Sequence, residues 1–386
     1  MTTATVKILK APFPAFGGKS KIADEVWRRF GNPRNYIEPF AFSSAVLLRR
    51  PVVGKIETIN DLNSYVANFW RAIKQDPEAV ADYADWPVNE DDLHARHKWL
   101  LFSDRAVNAL KQVREDPDYY DAKIAGWWCW GACCWIGSGW CDEQLPHMTS
   151  GQGVNRLTEQ LPCITGEQGI HVKRPGLCNG NTTAGPGVLA HPYAKRPVLH
   201  GPAEGSPGVV GRPQLADAFA RGRGVNGNDS ADTCLLRRAW LIEWFQSLAD
   251  RLRSVRVCCG HWSRVCDSPS TLTRLGETAV FLDPPYRHSI DGKRNRTKKI
   301  YANDDQDVNA LCDEVQGWCL KWGEDPQIKI ALCGLEGEYP LLDGWEKYAW
   351  QSNGGYGNQS GGVNANARRE RILFSPPCKR EKRLLF

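Results

Sequence analysis

No stretch of this chain is apolar over the roughly 18 residues that a membrane span requires. Its first residues, Met1-Thr2-Thr3-Ala4-Thr5-Val6-Lys7, lack the apolar centre of a signal peptide. These two absences predict a cytoplasmic protein with no membrane contact. The fourteen cysteines then read as reduced thiols, not as a disulfide framework. None of them is paired in a Cys-x-x-Cys spacing. Cys129, Cys133, Cys134 and Cys141, with His147 nearby, stand among Trp127, Trp128, Trp130, Trp135 and Trp140, which suits small buried hydrophobes better than zinc ligands, and no metal is expected. Strong charge is also missing. A net +5 over 386 residues leaves attraction to a polyanion to local patches. Finally, Phe16-Gly17-Gly18-Lys19 lacks the four residues that a Walker loop places between its first glycine and Gly-Lys.

What the chain does contain is organised around Asp283-Pro284-Pro285-Tyr286, which ends the apolar run Thr278-Ala279-Val280-Phe281-Leu282. Neither proline can donate to a ladder and each restricts the residue before it, so the run predicts a buried parallel strand stopped at its carboxyl end. Open α/β sheets keep their chemistry there. A carboxylate at Asp283 and the Pro284 carbonyl can converge on one exocyclic amino group, and Tyr286 offers a flat face to a planar ring. Such a site suits a purine or pyrimidine amine.

The remaining pattern predicts an α/β sheet with strands alternating with helices and an antiparallel edge. Strands are expected at Asn35 to Phe40, Lys55 to Ile59, Val255 to Cys259, Thr278 to Leu282, Ile328 to Cys333 and Arg371 to Phe374, with helices after Ile22, after Ser43, from about Asp305 to Trp322, and through Leu235 to Leu252. Residues 1–75 and 233–386 read as two parts of one core, 76–140 as a helical segment, and 141–232 as a loop-rich insertion rich in glycine, proline and basic residues. Within that insertion Gln144-Leu145-Pro146 recurs as Gln160-Leu161-Pro162, too short a repeat for a solenoid. An insertion of this length and charge suits reading of nucleic acid. Asp61 follows the first strand-turn-helix at the distance, roughly 20 residues, at which an acidic side chain meets ribose hydroxyls. Lys293, Arg294, Arg296, Lys298 and Lys299 form a basic patch just beyond Tyr286, placed for DNA phosphates.

Taken in order, Phe16-Gly17-Gly18-Lys19, Glu38-Pro39-Phe40, Asn60-Asp61 and Asp283-Pro284-Pro285-Tyr286 resemble the motifs of the Dam-like (D12 class) DNA adenine-N6 methyltransferases, especially longer phage and prophage members. The resemblance covers nearly the whole chain outside 141–232. It implies a Rossmann-like, S-adenosylmethionine-dependent fold acting on double-stranded DNA, with the target adenine flipped into the site. It further implies that Phe16, Gly17, Gly18 and Lys19 hold the methionine end and that Glu38, Pro39 and Phe40 line the cofactor. Asp61 would bind the ribose, Asp283 and the Pro284 carbonyl would take the N6 hydrogens, and Tyr286 would stack on the base. Pro285 completes the catalytic motif. A monomer is the default expectation, with a dimer left open.

Two departures fall at the cofactor. Where the family has a Gly-Ser-Gly-like turn, this chain has Ala41-Phe42-Ser43-Ser44, and a Phe42 side chain at a position of positive φ implies strain and bulk directed toward the ligand. Where the family often has Gly-Asp-aromatic, this chain has Gly260-His261-Trp262. Three readings follow. The turn takes another geometry and still binds S-adenosylmethionine; or Ser43, Ser44 or His261 meets the extra carboxylate of an analogue such as carboxy-S-adenosylmethionine; or catalysis is lost and DNA binding retained. Methylation of RNA or of cytosine is a further rival, since the same motif fits several exocyclic amines.

Overall fold

The computed structural model describes residues 8–15, 18–135, 140–141, 225, 234–287, 289–290, 293–294, 308–342, 344–350 and 369–378. Apart from Cys141 and Val225, the insertion expected at 141–232 lies outside the described residues. The Val225 N–H bonds to the Pro12 carbonyl at 3.0 Å.

The apolar run before Asp283 is β4 (Thr278–Leu282), buried along its whole length as a strand covered on both faces must be. It pairs in parallel with β1 (Asn35–Glu38) on one side and β7 (Ile328–Leu335) on the other. β1 also pairs in parallel with β2 (Ile56–Asp61), and β2 with β3 (Val255–Cys259). Beyond β7 lies β9 (Glu370–Phe374), antiparallel to it, and then the short β8 (Glu346–Ala349). The order across the sheet is β3-β2-β1-β4-β7-β9-β8. The antiparallel strand is therefore second from the margin, and the margin strand β8 has the alternating half-buried pattern of an edge. Its shortness left no apolar run in the sequence to announce it. β5 (Ser289–Ile290) and β6 (Lys293–Arg294) form a separate two-residue ribbon.

Alternate residues of each strand feed two cores, following the period of two along the pleat. Tyr36, Ala279, Phe281, Cys333, Ile372 and Phe374 face the larger core. There they meet α1 (Ala23–Phe30), α2 (Ala45–Leu48) and α3 (Ser64–Gln75), and the same apolar core runs on into α4 (Pro77–Ala84), α5 (Glu90–Phe102), α6 (Asp104–Glu115), α7 (Ala122–Cys134) and α8 (Cys234–Leu252). Ile37, Val280, Leu282, Ile330 and Leu332 face the other core, covered by Trp262, Val265 and α9 (Val308–Trp322).

The helical segment begins where the sequence supplies caps. Asn63, Asp76, Asn89, Ser103 and Asp121 each accept a backbone N–H from the first turn of α3, α4, α5, α6 and α7 respectively, satisfying donors that a helix start leaves open. α7 lies close against α4 at Gly126, where a Cβ would stand 2.4 Å from Tyr83 and 2.7 Å from the Val80 carbonyl. Cys129 and Cys133 of α7 turn their thiols to the Pro12 carbonyl.

A buried charge cluster ties β2 to the helices. Glu57 accepts Arg50 Nη1 at 3.0 Å and both Arg251 Nη atoms, at 2.7 and 2.9 Å. Its remaining donor is the Gly54 N–H at 3.1 Å. The Arg50 guanidinium lies over the Trp27 ring, 4.9 Å from its centroid. A buried carboxylate is tolerable only with its lone pairs filled in this way.

Candidate active site at the carboxyl ends of the parallel strands

From β1 the chain winds one way to β2 and β3, then returns to the opposite side of β1 to lay down β4 and β7. The crevice between the ends of β1 and β4 is thus the topological switch point at which open α/β sheets bind ligands. Glu38 ends β1 on one side of it, and Asp283 follows β4 on the other.

After β1 the backbone turns sharply. The Ala41 N–H bonds to the Asn60 carbonyl and the Ser44 N–H to the Ala41 carbonyl. Phe42 has φ 37° and Ser44 φ 50°, both in the left-handed region that disfavours side chains. The turn is held from two directions. The Phe42 N–H donates to Asp61 Oδ2 at 2.9 Å, and Trp70 Nε1 donates to the Phe42 carbonyl at 2.8 Å. The positive φ expected here is therefore present, but the expected intrusion of the ring is not. Phe42 packs edge-on against Phe13, 5.4 Å between centroids, and against Trp128 at 6.4 Å, in the larger core.

Asp61 stands at the end of β2. Its Oδ1 accepts the Asn63 N–H at 2.8 Å while Oδ2 holds Phe42, and burial pushes its carboxyl up to about 6 against these hydrogen bonds. The neighbouring Asn60 amide donates to both the Pro39 and Gly260 carbonyls, at 3.0 and 2.9 Å, joining the ends of β1 and β3. Phe40 is stacked on Trp262 at 5.9 Å. His261 is exposed, with Nδ1 2.9 Å from Ser263 Oγ and Nε2 3.6 Å from Glu314 Oε2.

Across the crevice, Lys19 Nζ lies 2.8 Å from Asp283 Oδ2. The lysine comes from a short 3₁₀ turn, Lys19–Lys21, and is itself buried. Its ammonium sits 5.5 Å from the centre of the Tyr286 ring and 5.6 Å from that of Trp350. The Tyr286 hydroxyl donates to Glu370 Oε2 at 3.1 Å. Around this ring the turn is pinned. The Cys312 thiol donates to the Pro285 carbonyl at 3.4 Å, and the Arg287 N–H donates to Glu338 Oε1. Glu338 Oε2 in turn accepts the Leu335 N–H at 2.7 Å. Among the described residues no hydrogen bond engages the Pro284 carbonyl.

Burial dominates the electrostatics of the carboxylates. It raises Asp283, and Lys19 beside it pulls the other way. It pushes Glu38 up to about 8, against hydrogen bonds from the Tyr36 hydroxyl and the Leu47 N–H and with a smaller upward push from Asp283. Both of those donors reach Glu38 Oε2, at 3.0 and 3.2 Å.

Residues 16–123 match the family described as D12 class N6 adenine-specific DNA methyltransferase. The chain is similar to this family over that segment. No curated protein matches the chain. The matched segment begins at Phe16 and contains Lys19, Glu38, Phe42 and Asp61, while Asp283 to Tyr286 lie beyond its end. The sheet unites the two parts, because β4 is laid against β1 and Lys19 bridges to Asp283.

Of the residues expected at the site, Lys19, Glu38, Asp283 and Tyr286 lie around one crevice. Pro39, Phe40, Ser43, Ser44 and Asp61 follow the ends of β1 and β2, and His261 the end of β3. Gly18 precedes the 3₁₀ turn with its N–H on the Ala15 carbonyl at 3.2 Å. Phe16, Gly17, Arg296, Lys298 and Lys299 lie outside the described residues, and of the basic patch only the backbone of Lys293 and Arg294, as β6, is described. Sequence reasoning missed Glu370, Trp350 and Glu338. Glu370 carried a signal: it shares the period-two face of Ile372 and Phe374, so it is a carboxylate on the buried side of a strand.

Proposed function

We propose that the protein transfers a methyl group from S-adenosylmethionine to N6 of an adenine turned out of duplex DNA. The observation that carries this reading is the juxtaposition of Asp283, a Pro284 carbonyl that no hydrogen bond engages among the described residues, and the Tyr286 ring at the switch point of the sheet. An N6 amine has two hydrogens. Asp283 takes one and the Pro284 carbonyl the other, which orients the nitrogen and draws its lone pair out of the ring's delocalisation. Tyr286 supports the base by stacking.

The residues along β1 and β2 suit the cofactor. Asp61 accepts the Phe42 and Asn63 N–H groups on separate oxygens, and a carboxylate has lone-pair sites beyond these for a ribose hydroxyl. The Asp61 carboxylate complements a cation, Glu38 offers its carboxyl as a hydrogen-bonding group, and the core-facing Phe42 leaves its N–H, not its ring, on the Asp61 side of the turn. Phe16, Gly17, Gly18 and Lys19 belong, on the family pattern, at the methionine end. Bound there, S-adenosylmethionine supplies an electrophilic methyl group on a sulfonium. Lys293, Arg294, Arg296, Lys298 and Lys299, one after another beyond the Tyr286 turn, are assigned to DNA phosphates.

The test is mass spectrometry of nucleosides from DNA of cells expressing the protein, beside cells expressing Asp283→Ala. A 6-methyladenine signal lost in the variant is the expected result. A signal equal in both would remove Asp283 from catalysis. A heavier adenine adduct would replace the methyl donor with a carboxylated analogue, a methylated cytosine would change the base, and unmodified DNA together with retained DNA binding would make this a non-catalytic relative.

A further inference from the structure

We propose that Glu370 is a positioning residue for methyl transfer, acting through the hydroxyl of Tyr286. The inference rests on the methyltransferase reading above and concerns how the base-stacking ring is held.

The Tyr286 backbone is already fixed. Two prolines precede it, Cys312 binds the carbonyl of Pro285, and Glu338 binds the N–H of Arg287. The ring itself is placed by two side-chain torsions. Glu370 constrains them by accepting the phenol at 3.1 Å, from the far end of the ring. The carboxylate comes from β9, where Glu370 is paired opposite Leu335 at the end of β7. It is only 7% exposed and points to the same side of the sheet as Ile372 and Phe374. An apolar residue would serve the packing of that face without the desolvation cost of a carboxylate. The group that replaces it meets the ring of the catalytic motif.

The pairing has a second effect. A phenol donating to a carboxylate is electron-enriched, which strengthens the negative face that the ring turns to a cation. The Lys19 ammonium already stands 5.5 Å from that ring. The target amine becomes cationic as it accepts the methyl group, and it gains the same stabilisation. The indole of Trp350, whose backbone N–H bonds to the Glu370 carbonyl at 3.4 Å, flanks Lys19 from the β8 side.

The test compares Glu370→Ala and Glu370→Gln, each alone and combined with Tyr286→Phe, using the full chain and its DNA product. Glu370→Ala should lower kcat about 10- to 100-fold, the scale of a misplaced reacting group, with S-adenosylmethionine affinity and the KM for DNA unchanged. Glu370→Gln, which can still accept the hydroxyl, should recover part of the loss. In a Tyr286→Phe background, Glu370→Ala should cost nothing more, because the hydroxyl through which it acts is gone. Losses that multiply in the double variant would overturn the inference, and so would a lower cofactor affinity or a kcat that follows only the fall in Tm. A wild-type protein that forms no 6-methyladenine would instead remove the activity reading itself, before any Glu370 variant is compared.

Discussion

Lys19 Nζ and Asp283 Oδ2 are 2.8 Å apart, although the two residues are far apart in the sequence. Burial raises Asp283 and the ammonium opposes it. Replacing Lys19 with Met removes the opposing charge, so Asp283 rises further and a smaller fraction is ionised at neutral pH. The acid limb of the pH–rate profile should move to higher pH. A limb that stays in place, or moves to lower pH, would separate Lys19 from the ionisation of Asp283.

Glu38 makes stability depend on pH. Its folded value is about 8, against about 4.3 for a free glutamate, so between those values the folded state binds more protons than the unfolded chain. Stability then falls as pH rises through the window, by on the order of 3–5 kcal/mol in all. Asp61, raised to about 6, acts in the same direction over a narrower range. Urea unfolding should give a lower free energy at pH 8.5 than at pH 5.5, and Glu38→Gln should narrow the gap. An unchanged gap in the variant would assign the dependence to other groups.

Glu57 is the shared acceptor of two buried guanidinium groups. Glu57→Gln leaves Arg50 and Arg251 with a buried charge that nothing neutralises, and a loss of about 3–5 kcal/mol is expected. Denaturant unfolding checks it. A loss below about 1 kcal/mol would mean that water reaches the guanidinium groups once the carboxylate is gone.

Phe42 sets strain against packing. Glycine there relieves a left-handed penalty of about 1–2 kcal/mol but gives up the contacts with Phe13 and Trp128, worth about 3–5 kcal/mol for a fully buried ring and less for this half-buried one. Phe42→Gly should therefore be less stable by about 1–3 kcal/mol, while S-adenosylmethionine affinity by titration calorimetry changes little. A large gain in affinity would put the ring back in the cofactor's path.

The parallel core was legible in the sequence because its strands carry β-branched and aromatic residues and end in turn signals, with β4 the nearest to a continuous apolar run. Asp283-Pro284-Pro285-Tyr286 marked its own strand end without any help from tertiary contacts. What stayed hidden depends on long-range pairing. Glu370 reaches Tyr286 only because β9 folds back antiparallel on β7, and Trp350 reaches Lys19 only through the connection from β8. No local spacing encodes either contact. Phe42 was misread for a different reason. Its positive φ follows from the turn that replaces the family's glycines, but the direction of its ring is set by Phe13 and Trp128, one before it in the chain and one far after.

The position of β9 between β7 and β8 also bears on how the molecule comes into being. β8 is synthesised before β9, yet β9 is its partner in the sheet. Among the described strands β8 pairs with β9 alone, so on a ribosome it joins the sheet only once β9 has emerged. The carboxylate that holds Tyr286 arrives with that strand. Nascent chains halted before β9 therefore have the Asp283-Pro284-Pro285-Tyr286 turn but not the contact that steadies it, and β9 brings both the partner of β8 and the carboxylate beside Tyr286.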